Sequence, residues 1–416
     1  MRTATAAALV TVAVMLLALL RIRPPGLVIR WIWELAEPYP RVRRLLRPPA
    51  DITVPTWRTA AKLPRRKYPL SWRTRYLQRG GRSRFVLVGG LYLDLTLTPI
   101  DVTSLDGREF KNLDTVTMTP GGAGRYFGKF LYEDHHRKSD LFSQIGVGDT
   151  FSRTLRRLLR RERWIARRHL SKLPNMPCAV SVHLSQRNRS FYTTFTQMGA
   201  LSSLQWGSVQ RKLLHRTRAG GVLYISGYFR TQLGTDLRDT LLKFPPTLLV
   251  CIDHGRFVSG DNPTAEAALL DAFNDKLIDV YFCTLDELRE LMKAAGLLAD
   301  ERLGPRDLLT TFGRSRQLPP ITVIRSTTQE HGADAFVLLH GEVIGEKRAR
   351  AKADVDLVVG ASNRFNASFV HSLVTNRNHD DLDVEQNLRE SVKDALTTAL
   401  NVWAERQEEL DHDTAR

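Results

Sequence analysis

Short apolar runs recur along this chain, and each is closed by a glycine-bearing turn or by a helical pattern. FVLVGG opens the segment 85–98, and DLFSQIGVGD opens 140–159. GGVLYISGYF (220–229), TLLVCIDHGRF (247–257), DVYFCTLDELREL (279–291) and ITVIRS (321–326) follow at intervals. Such runs, too short for membrane spans, read as strands buried on both faces. A second texture alternates apolar and polar positions. It fills 91–98, 101–119 around Asp106-Gly107, 179–195 and 335–351, and predicts half-exposed strands paired as hairpins. Helical periodicity marks 120–133 after Pro120-Gly121-Gly122, 358–375 after a Gly-Ala-Ser turn, and 384–406. The last residues, 406–416, are polar and read as a frayed tail. Strands alternating with helices predict an α/β fold: a three-layer, doubly wound, mostly parallel sheet.

Composition agrees with a packed body. The chain has 416 residues, 43% hydrophobic and 25% charged, which excludes wholesale disorder. Its three cysteines, Cys178, Cys251 and Cys283, form no CxxC pair, which argues against a disulfide scaffold and against structural zinc. The formal net charge is +17, with an isoelectric point near 10.1, and on its own that suggests a nucleic-acid binder. Position changes the picture. Residues 1–84 carry 18 Lys+Arg and three acids (Glu34, Glu37, Asp51), a net of +15, and the remainder carries only +2. Nucleic acid is therefore not an expected partner. One basic run remains in the body, Arg153 to Arg168. Its leucines at 155, 158 and 159 have helical spacing, so it reads first as a solvated helix face and second as a nucleic-acid or polyanion patch.

The leader reads as an address. Thr3 to Leu20 is an uncharged run of 18 residues, at the lower limit for a bilayer span, and arginines 21, 23, 30, 41, 43, 44 and 47 follow it. The positive-inside bias predicts a transmembrane-type helix in residues 1–22 with the body in the cytoplasm. Residues 23–82 read as a basic juxtamembrane linker, each cation worth about 1 kcal/mol against an anionic membrane surface. A cleaved signal peptide for export and an organellar transit peptide are the alternatives.

The order of the turns then becomes informative. Gly89-Gly90 with Asp94, the pair Gly121-Gly122, IGVGDTF (145–151), TLDE (284–287) and GASNRFNASF (360–369) follow one another at family-like intervals. In that order they resemble the ribokinase-like (PfkB) carbohydrate kinases over residues 83–405. The resemblance implies a ribokinase-like domain with a small β-lid formed by 91–119 and 179–195. It also implies Asp94 as a carboxylate for sugar hydroxyls, with the Gly121 and Gly122 amides close to the substrate. Asp149 is expected to be structural. Some family members dimerise through the lid, which makes a homodimer an option here.

The reaction half departs from the family pattern. In the family a Gly-Ala-Gly-Asp turn forms an anion hole at a helix N-terminus and supplies the base. Here it reads Gly360, Ala361, Ser362, Asn363, and an amide cannot take a proton at neutral pH. Asp356 lies seven positions earlier, too far along the chain to assume that it takes over. The family's Asn-x-x-Glu, which orders metal and phosphates, keeps Glu287 but has Thr284 in place of asparagine. Its Thr-x-Gly stretch becomes Arg325-Ser326-Thr327-Thr328, with Arg325 able either to bind phosphate or to fill its place. The Asp253-His254-Gly255-Arg256 turn stands where the family often has Asp-x-x-Arg. Two functions follow from the resemblance. One is an Mg²⁺- and ATP-dependent phosphotransferase for a sugar or nucleoside-like alcohol, with impaired catalysis. The other is a membrane-tethered pseudokinase that senses such a ligand. No GxxxxGK[ST], HExxH or GxSxG motif competes with this reading, and the pairs His135-His136 and Asp380-Asp381 lack chelating spacing.

Overall fold

A computed structural model describes residues 69–414 except 81–83, 99–114, 186–191, 218–219, 235, 246, 256–261, 298–302, 304, 315–317, 329–331, 350–359 and 380. The expected membrane segment, most of the linker, the Asp106-Gly107 turn, Arg256 and Asp356 lie outside the described residues. Among the described residues no helix is long and apolar enough to cross a membrane.

The apolar runs form the centre of a nine-stranded sheet. In chain order its strands are β1 (Phe85–Gly89), β4 (Ser139–Gly146), β5 (Leu170–Leu173), β8 (Gly221–Ser226), β9 (Leu248–Asp253), β10 (Val280–Thr284), β11 (Ile321–Thr328), β12 (Gly332–Leu339) and β13 (Glu342–Ala349). Their spatial order is β13-β12-β11-β10-β9-β8-β1-β4-β5. All neighbours from β5 through β11 pair parallel, and β12 and β13 close one edge as an antiparallel hairpin. Alternate residues of one strand enter two different cores. Val222 and Tyr224 pack on one face of the sheet, Leu223 and Ile225 on the other, all fully buried. This two-sided burial explains why the runs show no polar alternation.

The first core is covered by α1 (Leu70–Gly80), α2 (Ala123–Glu133), α9 (Ala361–Thr375) and α10 (Val384–Thr414). The second is covered by α4 (Trp206–Thr217), α5 (Leu237–Leu242), α6 (Pro263–Asn274), α7 (Leu285–Ala294) and α8 (Pro305–Arg314). The expected three layers are present. α3 (Thr150–Leu159) follows the glycine turn after β4, capped by Asp149, whose side chain accepts from the Ser152 and Cys178 amides at 2.5 and 2.6 Å. Those amide bonds outweigh burial and hold the Asp149 carboxyl below its usual value, the structural role expected of it.

Two boundaries differ from expectation. Residues 70–80, read as linker, form α1, which packs between α9 and α10. Arg73 Nη1 and Nη2 donate to Asp279 Oδ2 and Oδ1 at 2.7 and 2.6 Å, and Gln78 Nε2 donates to the Leu373 carbonyl and to Ser391 at 3.0 Å. The helix is held by these tertiary partners, so its own sequence shows little periodicity. At the other end α10 runs through the expected tail to Thr414, because that polar stretch lacks proline and glycine.

A second, four-stranded sheet forms the lid, in the order β3-β2-β6-β7: β2 (Tyr92–Thr98), β3 (Thr115–Gly121), β6 (Val180–Ser185) and β7 (Tyr192–Gln197). Its register puts Asp94, Thr119, Ser181 and Thr196 on one face. Leu95, Met118, Val182 and Phe195 lie on the other. The polar face carries the candidate chemistry, and on the apolar face Val116, Met118 and Phe195 are each about half exposed.

Candidate active site

Asp94 sits mid-strand on the polar face of the lid and is only 3% exposed. A buried carboxylate needs partners, and two are present. The Tyr126 hydroxyl donates to Oδ2 at 2.9 Å, and His183 Nε2 lies 3.6 Å from Oδ1. The double glycine makes room for this carboxylate. A Cβ at Gly121 would lie 1.8 Å from Asp94 Oδ2, and Gly122 has φ +100°, where a Cβ would lie 2.3 Å from the Gly90 carbonyl oxygen. Gly121 thus admits the aspartate itself, where the resemblance implied amides offered to a substrate.

Tyr126 belongs to none of the motifs, yet it joins the two halves of the site. It lies on α2, and its ring packs on Gly360 closely enough that a Cβ there would come within 2.8 Å of Tyr126 Cδ1. Burial, then the neighbouring Asp94 charge, push its hydroxyl far above the usual tyrosine range, so it remains a proton donor at any physiological pH.

Gly360 is the N-cap of α9, left-handed at φ +96°. The Asn363 and Arg364 amides both turn back to its carbonyl, at 2.9 and 3.0 Å. The amides of Ala361 and Ser362 come at the first helical positions, where no intrahelical acceptor exists and an anion is favoured. Among the described residues the buried Oδ1 of the Asn363 side chain has no hydrogen-bond partner.

Arg325, near the end of β11, is 5% exposed. Its Nη1 donates to the Ser362 carbonyl at 3.0 Å, and its Nη2 lies 3.5 Å from Asp253 Oδ1. Asp253 Oδ1 also accepts from Asn366 Nδ2 at 3.1 Å. Burial pushes the Asp253 carboxyl up to about 6, against the lowering effect of Arg325. The guanidinium is therefore committed to α9 and β9. Thr284 and Glu287 form a capping box on α7: the Glu287 amide donates to Thr284 Oγ1 at 3.2 Å, and the Thr284 amide to Glu287 Oε2 at 2.8 Å. Glu287 is near enough to raise the Asp253 carboxyl. Among the described residues no three His, Cys, Asp or Glu side chains cluster as metal ligands.

Asp94, Gly121, Tyr126 and Gly360 thus form one contact chain, and Ser362, Arg325, Asp253 and Asn366 a second, with Asn363 between them on α9. With this geometry in place, the comparisons are informative. No protein-family model matches the sequence, and no curated protein matches it either. Solved structures do match. A PfkB protein from a Polaromonas species has a TM-score of 0.54 at 13% identity, over 79% of this chain and 99% of its own. This chain has the ribokinase-like fold. An adenosine kinase from Sinorhizobium meliloti matches at TM-score 0.52 and 13% identity, over 76% of this chain and 92% of that one. A protein described as ribokinase II from E. coli, in complex with ATP and Mg²⁺, matches at 0.51 and 15%, over 77% and 93%. The ribokinase-like fold places most of the motifs at the carboxyl ends of β1, β4 and β10 or at the starts of α2, α3, α7 and α9, the end of an open α/β sheet where ligand sites form.

Proposed function

We propose that this ribokinase-like chain is a pseudokinase, a protein that keeps the carboxylate site for a sugar or nucleoside-like alcohol and does not transfer phosphate at kinase rates. The observation that carries the reading is Tyr126, which donates to Asp94 while its ring lies on Gly360. Phosphoryl transfer depends on positioning the acceptor hydroxyl between its binding carboxylate and the phosphate turn. A tyrosine bridging those two points occupies that line. Asn363 supports the same conclusion, since an amide in the base position removes proton abstraction, worth about 10²–10⁴-fold. Two of the residues expected to serve an Mg²⁺-nucleotide centre are already engaged within the protein. Glu287 Oε2 accepts from its own helix cap, and Arg325 is tied to Ser362 and Asp253.

The ligand class is read from the acceptors: Asp94 with His183 beside it, and Asn363 Oδ1, which has no partner among the described residues, suit a molecule rich in hydroxyl donors. The test offers the full chain ATP-Mg²⁺ with a panel of sugars and nucleosides, and measures phosphorylated product and melting temperature. Wild type is expected to give no product at 1–100 s⁻¹, the usual kinase range, and to melt higher with its ligand. Tyr126→Phe frees Asp94 and is expected to strengthen that ligand's effect. Turnover by wild type at ordinary rates would falsify the pseudokinase reading, and recovery of turnover by Asn363→Asp alone would reduce it to a missing base.

We further propose that residues 1–22 anchor the chain with its body on the cytoplasmic side, supported by the uncharged run 3–20 and the seven arginines after it. The full chain should pellet with membranes and resist high-salt extraction; release by salt, or cleavage of the leader, favours the electrostatic, exported or organellar alternatives.

A further inference from the structure

At the β5 edge of the large sheet, far along the sheet from β11 and its Arg325, the basic run Arg153–Lys172 folds into α3, a short turn and β5. It holds nine Lys+Arg and a single acid, Glu162. That acid is used elsewhere: it is ion-paired to Arg125 and accepts from Trp164 Nε1 at 2.6 Å. α3, the turn and β5 enclose a cavity of about 340 Å³, within the size range of small-molecule sites.

Five cations line it, Arg156, Arg160, Arg167, Arg168 and Lys172, and no carboxylate does. Arg156 Nε donates to the Ser152 carbonyl, and Arg168 Nε to the His169 ring. Among the described residues none of the five is ion-paired. Like charges gathered around one concavity repel one another, and an anion placed among them removes that repulsion. The remaining lining is aliphatic: Ile145, Leu159 and Leu170, all buried.

The combination discriminates between anions. A single-stranded nucleic acid would be held by aromatic stacking platforms, and no aromatic residue lines the cavity. Inorganic phosphate would have no use for an aliphatic floor. A phosphate esterified to an apolar stem uses both. We propose that this cavity binds the headgroup phosphate of an anionic phospholipid, so that the α3–β5 edge of the body lies against an acidic membrane surface. The inference is independent of the leader and of the pseudokinase reading, because none of its residues belongs to either.

The test keeps the full chain in neutral detergent and titrates it with dihexanoyl-phosphatidylglycerol below its micelle concentration. Dihexanoyl-phosphatidylcholine, inorganic phosphate and an oligothymidylate serve as separate arms. Affinity and backbone hydrogen exchange across 150–173 are read together, which localises binding away from the leader. The acidic lipid is expected to protect this segment and to bind at least tenfold more tightly than the other three. Arg160→Gln with Arg167→Gln, both exposed, should weaken it roughly tenfold or more at unchanged melting temperature. Equal affinity for inorganic phosphate, protection by oligothymidylate instead, protection by phosphatidylcholine, or no protection by any probe each overturns the proposal.

Discussion

Lowering the pH from 7 to 5 should destabilise the protein, and three groups shifted by burial give the size of the effect. His254 is fully buried, its Nδ1 hydrogen-bonded to the Tyr281 hydroxyl at 2.5 Å, and burial pushes its ring down to about 3. His371, on α9 and stacked on His135 at 4.1 Å, is likewise pushed down to about 3 by burial, then by His135 and Arg137. Both rings titrate near 6.5 once unfolded. Their stability is present above 6.5 and lost as the pH falls from there toward 3, about 2 kcal/mol each by pH 5. Asp253 acts in the opposite sense. Held up at about 6 in the fold, it gains protons on acidification before the unfolded chain does, and returns about 1 kcal/mol by pH 5. The balance of these three groups is a loss of about 3 kcal/mol, a large part of the 5–15 kcal/mol typical of a domain, and His135 and His169, both also pushed down by burial, add to it in the same sense. Urea unfolding followed by tryptophan fluorescence at pH 7, 6 and 5 measures it. His254→Gln should reduce the loss by about 2 kcal/mol, and Asp253→Asn should increase it by about 1 kcal/mol. A wild type equally stable at pH 7 and 5, or variants that shift the slope in the same direction, would refute the burial argument.

Three other changes have defined outcomes. Asp279→Ala leaves the Arg73 guanidinium buried without its bidentate partner, and should cost about 3–5 kcal/mol, read as a lowered urea midpoint. Gly360→Ala places a Cβ at a left-handed φ and 2.8 Å from the Tyr126 ring; a loss of about 1–3 kcal/mol is expected, smaller when Tyr126→Ala is combined with it. The apolar outer face of the lid is the surface that a lid homodimer would cover. Phe195→Asp with Met118→Asp should then convert a dimer to a monomer in light scattering, and a monomeric wild type disposes of lid pairing.

Much of the fold was legible because it rests on local pattern. Unbroken apolar runs marked β8 to β11, alternation marked the lid and the β12–β13 hairpin, and glycine turns marked the entries to α2, α3 and α9. The site was legible only where one motif supplies one residue. Asp94 and Asn363 sit where their turns put them, but Tyr126 acquires its role from the crossing of α2, β2 and α9, three elements distant in sequence. Arg325 left two roles open, and its partners Ser362 and Asp253 are 37 and 72 positions away. α1 was missed for the same reason: its stability is in the Arg73–Asp279 pair, 206 positions apart, and not in its own periodicity.

The Tyr126 bridge also changes how ligand affinity at Asp94 has to be understood. The tyrosine is an internal competitor, attached to the protein and therefore present at an effective concentration of millimolar or above. On the proposed reading, an alcohol reaches the carboxylate only after the Tyr126 hydroxyl has let go of it. Its apparent affinity is its intrinsic affinity multiplied by the fraction of molecules already open. At an open fraction of about 1%, a micromolar ligand reads as a hundred-micromolar one.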